Sequence, residues 1–301
     1  MLLEGKTAIV TGSSKGLGRA FVMGLAREGA RVVVNGTVAK DVNRVVEEIK
    51  STGGKAVGCT ASVATMAGAQ RIIQSALDEF GHLDILVNNA GVLRDRTFLK
   101  ITEEEWDTVI TVHLKGTFAC CKAAALTMSQ QQSGRIINII SGAAWHPGVG
   151  QSNYVAAKGG ILAFTYALAE ELDRYNITVN AVAPRALTRM NMPFHEGRMQ
   201  RAREEALRTN TPIPTALDLE IGPPEIIAPL VVFLASDEAK DITGKALGLA
   251  GERLFVVSRN QETVSAIKAG GWSVEELRKL MRLTLRKLIT AENPTHDKRG
   301  T

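Results

Sequence analysis

Aromatic residues are scarce: tryptophan, tyrosine and phenylalanine make up 5% of 301 residues, whereas glycine occurs 28 times. That balance argues against a β-sandwich and for an α/β chain punctuated by glycine turns. Cysteine is nearly absent. Cys59, Cys120 and Cys121 form no Cys-x-x-Cys pair and no Cys/His spacing. They imply neither a metal site nor a disulfide framework, so no metal is expected and a cytoplasmic setting is the default. No run of about 18 apolar residues occurs, which leaves no candidate membrane helix. The opening MLLEGKTAIVTG is broken by charge too early for a signal peptide. Charge of one sign never accumulates either. Lysine plus arginine number 36 and aspartate plus glutamate 31, for a net charge of +5. The charges are scattered and no nucleic-acid motif accompanies them, so an anionic small molecule is the expected partner rather than nucleic acid or membrane.

What is present is a rhythm. Apolar, β-branched runs at Thr7–Val10, Arg31–Val34, Ala56–Cys59, Ile85–Val87, Arg135–Ile140 and Ile177–Val182 alternate with helix-length segments at Arg19–Glu28, Val42–Thr52, Gly68–Phe80 and Glu103–Ser129. Near-continuous apolar strands suit a parallel sheet buried on both faces. The alternation predicts an α/β fold with a Rossmann-type doubly wound sheet and helices on both faces. The expected domain spans residues 1–250. The rhythm breaks after Pro184, and residues 185–224 are rich in Met, Arg, Glu and Pro. A long excursion after the carboxyl end of a strand reads as a substrate lid. Within it Met190, Met192 and Phe194 can form an apolar wall, and Arg189, Arg198, Arg201 and Arg203 can meet phosphates. Residues 251–301 read as a C-terminal extension. Ser273 and Glu276 suit a capping box, and Val274, Leu277, Leu280, Met281, Leu285 and Leu288 recur at helical spacing.

The first strand runs into Thr11-Gly12-Ser13-Ser14-Lys15-Gly16-Leu17-Gly18, and a helix follows. Gly12, Ser14, Lys15, Gly16, Leu17 and Gly18 are therefore candidates for cradling a pyrophosphate, because backbone amides at a helix N-terminus favour negative charge. The second strand ends in Asn35-Gly36. Enzymes specific for NAD usually place an acid there for the ribose 2′-hydroxyl. Gly36 carries none, and Lys15 can attract a 2′-phosphate, which favours NADP over NAD.

Tyr154 and Lys158 lie at i and i+4, with Ser141 thirteen positions upstream of the tyrosine at the end of a strand. On a helix the first two share a face. A free tyrosine titrates near pH 10, and a nearby ammonium is expected to lower that value. Ser141 can then hold a substrate oxygen while Tyr154 transfers a proton. Trp145, His146 and Pro147, in the intervening segment, read as pocket walls.

Thr11–Gly18, Asn88-Asn89-Ala90-Gly91, Ser141, Tyr154-x-x-x-Lys158 and Ala183-Pro184 together resemble the short-chain dehydrogenase/reductase family over most of residues 5–250. The resemblance implies a Ser/Tyr/Lys catalytic set, pro-S hydride transfer from a nicotinamide, and dimers or tetramers built through helices. It places Asn88, Ala90, Gly91, Ser62, Val63, Pro184 and Thr188 around the cofactor. It also sets His113 where the family usually has the asparagine of a proton relay, and Arg185 where it has a glycine. The segments Gly91–Phe98, Val112–Gly116, Pro184–Met190 and Pro224–Leu234, with Gly271-Trp272, are similar to the (3R)-hydroxyacyl-CoA dehydrogenase part of peroxisomal multifunctional enzyme type 2 and its bacterial relatives. That likeness implies a 3-hydroxyacyl/3-oxoacyl thioester as substrate. A steroid or other lipid ketone, and a 3-oxoacyl thioester of acyl carrier protein, are the alternatives.

Overall fold

The β-branched runs form strands whose side chains alternate between two buried faces. Ala8 and Val10 of β1 (Thr7–Val10), with Val32 and Val34 of β2 (Arg31–Gly36), join one core cluster. Ile9 and Val33, between them, join the other. The period of two therefore sends successive residues to opposite faces, each covered by helices. The computed structural model describes residues 1–186, 192–209 (the side chains of residues 193–195 and 198 excepted), 211–213, 215, 222–251 and 253–258. Thr188, Arg189, Met190 and the expected C-terminal helix with its capping box lie outside the described residues.

The remaining strands are β3 (Ala56–Thr60), β4 (Ile85–Asn88), β5 (Gly134–Ile139), β6 (Ile177–Arg185), β7 (Ala246–Ala250) and β8 (Arg253–Val257). Their order is β3-β2-β1-β4-β5-β6-β7-β8, parallel throughout except for the antiparallel β7–β8 pair. The order reverses between β1 and β4, and a crevice opens outside the carboxyl ends of the strands at such a point. Helices α1 (Gly16–Arg27), α2 (Ala39–Ser51) and α8 (Ala228–Ala235) bring Phe21, Leu25, Val45, Ile49 and Val231 to one face. On the other face, α3 (Met66–Phe80), α5 (Gly116–Gln131) and α6 (Ser152–Leu172) bring Ile72, Ile73, Cys120, Cys121, Met128 and Leu172. Burial pushes the Cys120 thiol up to about 12 and raises that of Cys121, so both are packing residues rather than nucleophiles.

The predicted helix Glu103–Ser129 is three pieces. It starts as α4 (Glu103–Ile110), passes through a π-turn at Thr111–Lys115 and continues as α5. Thr102 caps α4 reciprocally with Glu105. The stretch Glu103–Gln131 is long and apolar enough to cross a membrane by length and composition. Here Ala119, Cys120, Cys121, Ala124 and Met128 of that stretch are buried in the core, while Phe118 and Leu126 are exposed.

Two expectations change. The sheet takes in Arg253–Val257, which the sequence reading assigned to the extension, because that strand pairs with β7 from Val257 opposite Ala246 to Arg253 opposite Ala250. Residues Met1–Ser258 accordingly form one compact unit. Residues 185–224 also contain a helix that the reading did not name, α7 (Met192–Thr209), and a bridge from Ala186 to Gly222 ties the base of the excursion.

Candidate active site

The turn after β1 is held by its neighbours. Gly12 takes φ +62°, and a Cβ there would come within 2.9 Å of the Ala90 Cα, so glycine is required for the turn and for the packing of the loop after β4. Thr11 Oγ1 accepts from the amides of Asn89 and Ala90 at 2.9 and 3.1 Å. Asn89 Nδ2 donates to the Thr11 and Gly12 carbonyls at 2.9 and 3.2 Å. At the start of α1, Lys15 is extended and no side chain caps the helix. The first-turn amides of Gly16, Leu17 and Gly18 therefore lack an intrahelical acceptor and suit an anion. The residues present fit a dinucleotide pyrophosphate.

Two predicted cofactor residues, Asn35 and Asn88, have side chains bonded within the protein. Asn35 is buried, accepts from the Gly12 amide at 3.1 Å and donates to the Cys59 and Ala61 carbonyls at 3.0 Å each. It positions the glycine-rich turn, and its polar atoms are committed to backbone. Asn88, also buried, donates to Asn138 Oδ1 at 2.9 Å and lies 3.2 Å from Cys121 Sγ. Ala90, Gly91 and Pro184 stand at strand carboxyl ends around the crevice, Ser62 is exposed, and Val63 is buried beside a small recess shared with Thr11, Ala90 and Thr117.

At the end of β2, Gly36 packs against Ser14, whose Oγ would be 3.0 Å from an added Cβ. Lys15 is not a solitary cation, because its Nζ pairs with Asp41 Oδ2 at 2.6 Å. Exposed Arg44 donates to the Ser14 carbonyl at 3.1 Å. The sequence reading missed both Asp41 and Arg44. Their signal was an acid and an arginine three residues apart in the helix that follows β2.

Ser141 leaves β5 in extended conformation, and its Oγ accepts from the Ala143 amide at 3.2 Å. Tyr154 and Lys158 project from the first turns of α6 as expected, with the Lys158 Nζ 5.7 Å from the tyrosine ring centroid. Burial raises the Tyr154 pKa above its ordinary value, while a hydrogen bond with Ser141 opposes the shift. Lys158 is buried, donates to the Ile139 carbonyl at 2.6 Å, and is lowered to about 7 by loss of solvation. This corrects the expectation that the ammonium lowers the tyrosine. Desolvation acts on both groups, and each favours its neutral form. The fit to a cofactor is again direct. An ammonium has three donors, and the one bond described for Lys158 leaves two for ribose hydroxyls.

His113 sits at the π-turn beneath this pair, buried, with its ring edge-on to Tyr154 at 5.3 Å between centroids. Its Nε2 lies 3.0 Å from the Val92 amide nitrogen and 2.8 Å from the Val92 carbonyl oxygen. A Cβ at Gly91 would run into the imidazole. Burial first, then the charge of Lys158, holds His113 at about 3, so it is neutral at physiological pH. Its Nδ1 is buried without a hydrogen-bond partner.

The chain matches the family model described as short chain dehydrogenase over residues 6–198. It is 42% identical over 249 residues to a 3-oxoacyl-[acyl-carrier-protein] reductase of Staphylococcus aureus, covering 82% of this chain and 97% of the relative. It is 37% identical over 253 residues to a (2S)-[(R)-hydroxy(phenyl)methyl]succinyl-CoA dehydrogenase subunit of Thauera aromatica, covering 84% and 98%. A short chain dehydrogenase from Mycobacterium avium superposes with a TM-score of 0.82 at 39% identity, covering 95% of this chain and 97% of that one. The chain belongs to the short-chain dehydrogenase/reductase family. It is an NAD(P)-dependent oxidoreductase of small molecules, acting on CH–OH groups and the corresponding ketones.

Proposed function

We propose that this enzyme interconverts 3-oxoacyl and 3-hydroxyacyl thioesters with NADP(H). The observation that carries the reading is the Ser141/Tyr154/Lys158 set at the mouth of the crevice, in a chain whose relatives are named for 3-oxoacyl and hydroxyacyl-CoA-type substrates. When bound, the nicotinamide supplies or accepts the hydride. The chain's own residues do the rest. The Ser141 hydroxyl holds the substrate oxygen. In reduction the Tyr154 hydroxyl gives its proton to that oxygen, and in oxidation it takes the proton back. Lys158 binds ribose and, when an anion nearby restores its ammonium, favours the phenolate. His113 works as a neutral ring, with Nδ1 the atom available to a relay water. Thr188 is assigned to the cofactor carboxamide.

Lys15 and Arg44 beside Ser14 support NADP over NAD. Residues 185–224 are assigned as the lid. Of its expected apolar wall, Met192 has a described side chain and is 37% exposed, so that it is free to meet an acyl chain. CoA is the favoured handle, as in the hydroxyacyl-CoA dehydrogenase part of peroxisomal multifunctional enzyme type 2. The acyl-carrier-protein thioester is the second reading, favoured by the name of the Staphylococcus aureus relative. Exposed Phe118 and Leu126 on α5 support a homo-oligomer built through helices.

The test compares acetoacetyl-CoA, its N-acetylcysteamine analogue, an acetoacetyl-acyl-carrier-protein and a steroid ketone by NADPH absorbance. Equal kcat/KM for the first two would remove CoA recognition. Turnover of the steroid alone would overturn the thioester reading.

A further inference from the structure

Asn153 is fully buried, one residue before the proton-transferring tyrosine. Its carboxamide joins three segments of chain. Nδ2 donates to the carbonyl of Arg94, in the loop after β4, at 3.0 Å and to the carbonyl of Glu105, in α4, at 3.3 Å. Oδ1 accepts from the Tyr154 amide at 2.7 Å. The last bond matters because Gln151, at the N-cap of α6, provides no capping side chain. A first-turn amide that would lack an acceptor is satisfied by Asn153 instead.

The same junction carries weaker bonds at its rim. Gln151 donates to Asp95 at 3.0 Å, the Arg96 amide donates to the Gly150 carbonyl at 2.8 Å, and the Arg96 guanidinium pairs with Glu105 at 2.8 Å. Those are exposed and compete with water. The buried carboxamide has no solvent alternative, so removing it takes a bond from the Arg94 and Glu105 carbonyls and the side-chain acceptor from the Tyr154 amide. The loop is also held at Val92 by His113, whose ring lies against Tyr154. The loop is thus fixed at Val92 by the ring that packs on the tyrosine and at Arg94 by the residue before it. A phenol at the end of a long side chain magnifies any rotation of its backbone. Misplacement of a reacting group by about 1 Å can cost on the order of 10²-fold in rate.

We propose that Asn153 is a positioning residue: its carboxamide locks the loop after β4 and helix α4 to the backbone of Tyr154, and so aims the phenol at Ser141. The proposal rests on Tyr154 as proton donor. The experiment compares Asn153→Ala, Asn153→Asp, Tyr154→Phe and Gln151→Ala in the full chain. Asn153→Asp keeps the shape and the acceptor but has no donors. Turnover of acetoacetyl-CoA is normalised to bound NADPH, so that unfolded protein does not count. Tyr154 is also titrated by tyrosine absorbance, as the difference from Tyr154→Phe among three tyrosines. Both Asn153 variants are expected to lose at least about tenfold in kcat, with NADPH affinity and KM within about twofold and the phenol titration moved to higher pH as the Ser141 bond loosens. Gln151→Ala should match the parent. Parent kcat and parent titration in a folded Asn153 variant, with Tyr154→Phe dead, overturn the proposal. Should Tyr154→Phe stay active, the proton-donor reading falls and the titration alone decides: an unmoved phenol overturns the clamp. If Asn153→Ala does not fold, Asn153→Asp decides by the same readouts.

Discussion

The Lys158 Nζ donates to the Ile139 carbonyl at 2.6 Å and lies 5.7 Å from the Tyr154 ring centroid, with no carboxylate bonded to it among the described residues. The site therefore keeps a buried amine of pKa about 7 beside a phenol raised by burial. Anionic phosphates brought near that amine favour its charged form.

Cofactor binding should thus take up a proton. At pH 8 an amine of pKa about 7 is roughly 10% protonated before binding. NADPH binding followed by calorimetry in buffers of different ionisation enthalpy should show uptake approaching one proton per site at pH 8 and little at pH 6. Lys158→Met should abolish it. Heat independent of buffer at pH 8 would contradict the assignment.

Tyr154→Phe keeps the ring against His113 and removes the transferable proton. Turnover should fall by at least about 10²-fold, the lower range for general acid–base catalysis, with NADPH binding retained. Stopped-flow or steady-state absorbance measures the first, fluorescence titration the second.

Asp41 and Arg44 should act in opposite directions on cofactor choice. Asp41→Asn frees Lys15 for a 2′-phosphate and should raise the NADPH/NADH ratio of kcat/KM a few-fold, in keeping with an exposed pair worth up to about 1 kcal/mol. Arg44→Ala should lower the ratio by about tenfold, or 1.4 kcal/mol. Gly36→Asp is a less clean probe, since its Cβ would sit 3.0 Å from both Ser14 Oγ and Val42 Cγ2. Unchanged ratios in the first two variants would locate selection elsewhere.

His113 links stability to pH. Its folded pKa is about 3 against an ordinary value of 6.5, so between these values the unfolded chain binds the proton and the folded chain does not. Stability from this group is complete at neutral pH and is lost as pH falls through that window. From pH 7 to 5 the loss is about 2 kcal/mol by linkage. Urea titrations at both values should show it, and His113→Asn should reduce the difference. A variant with the same pH dependence as the parent would refute the attribution.

Strand identity was legible because burial on both faces demands uninterrupted apolar runs, as in Ile85–Asn88 and Ile177–Arg185. The strands Ala246–Ala250 and Arg253–Val257 were not. Their small and mixed residues are stabilised by pairing with β6 and with each other, a long-range condition that local pattern does not carry. Helix α7 was missed because its residues, rich in charge, show no continuous apolar stripe.

The proposed Tyr154/Lys158 pair shares a helix face because its members stand at i and i+4, and Ser141 lies two residues beyond the end of β5. Sequence by itself determined the parallel α/β architecture, the glycine-rich turn and the Ser141/Tyr154/Lys158 set. The first two follow from local periodicity and from the conformational freedom of glycine; the third was carried by the resemblance to the short-chain dehydrogenase/reductase family. Tertiary structure decided the rest. It bonded the Asn35 side chain to the Cys59 carbonyl and that of Asn88 to Asn138, paired Lys15 with Asp41, brought Arg44 to Ser14, and joined Asn153 to Arg94 and Glu105. It also made Lys158 a near-neutral amine rather than a fixed charge. The physical reason is that hydrogen-bond partners and desolvation depend on which distant segments close over a residue, and chain spacing does not encode that closure.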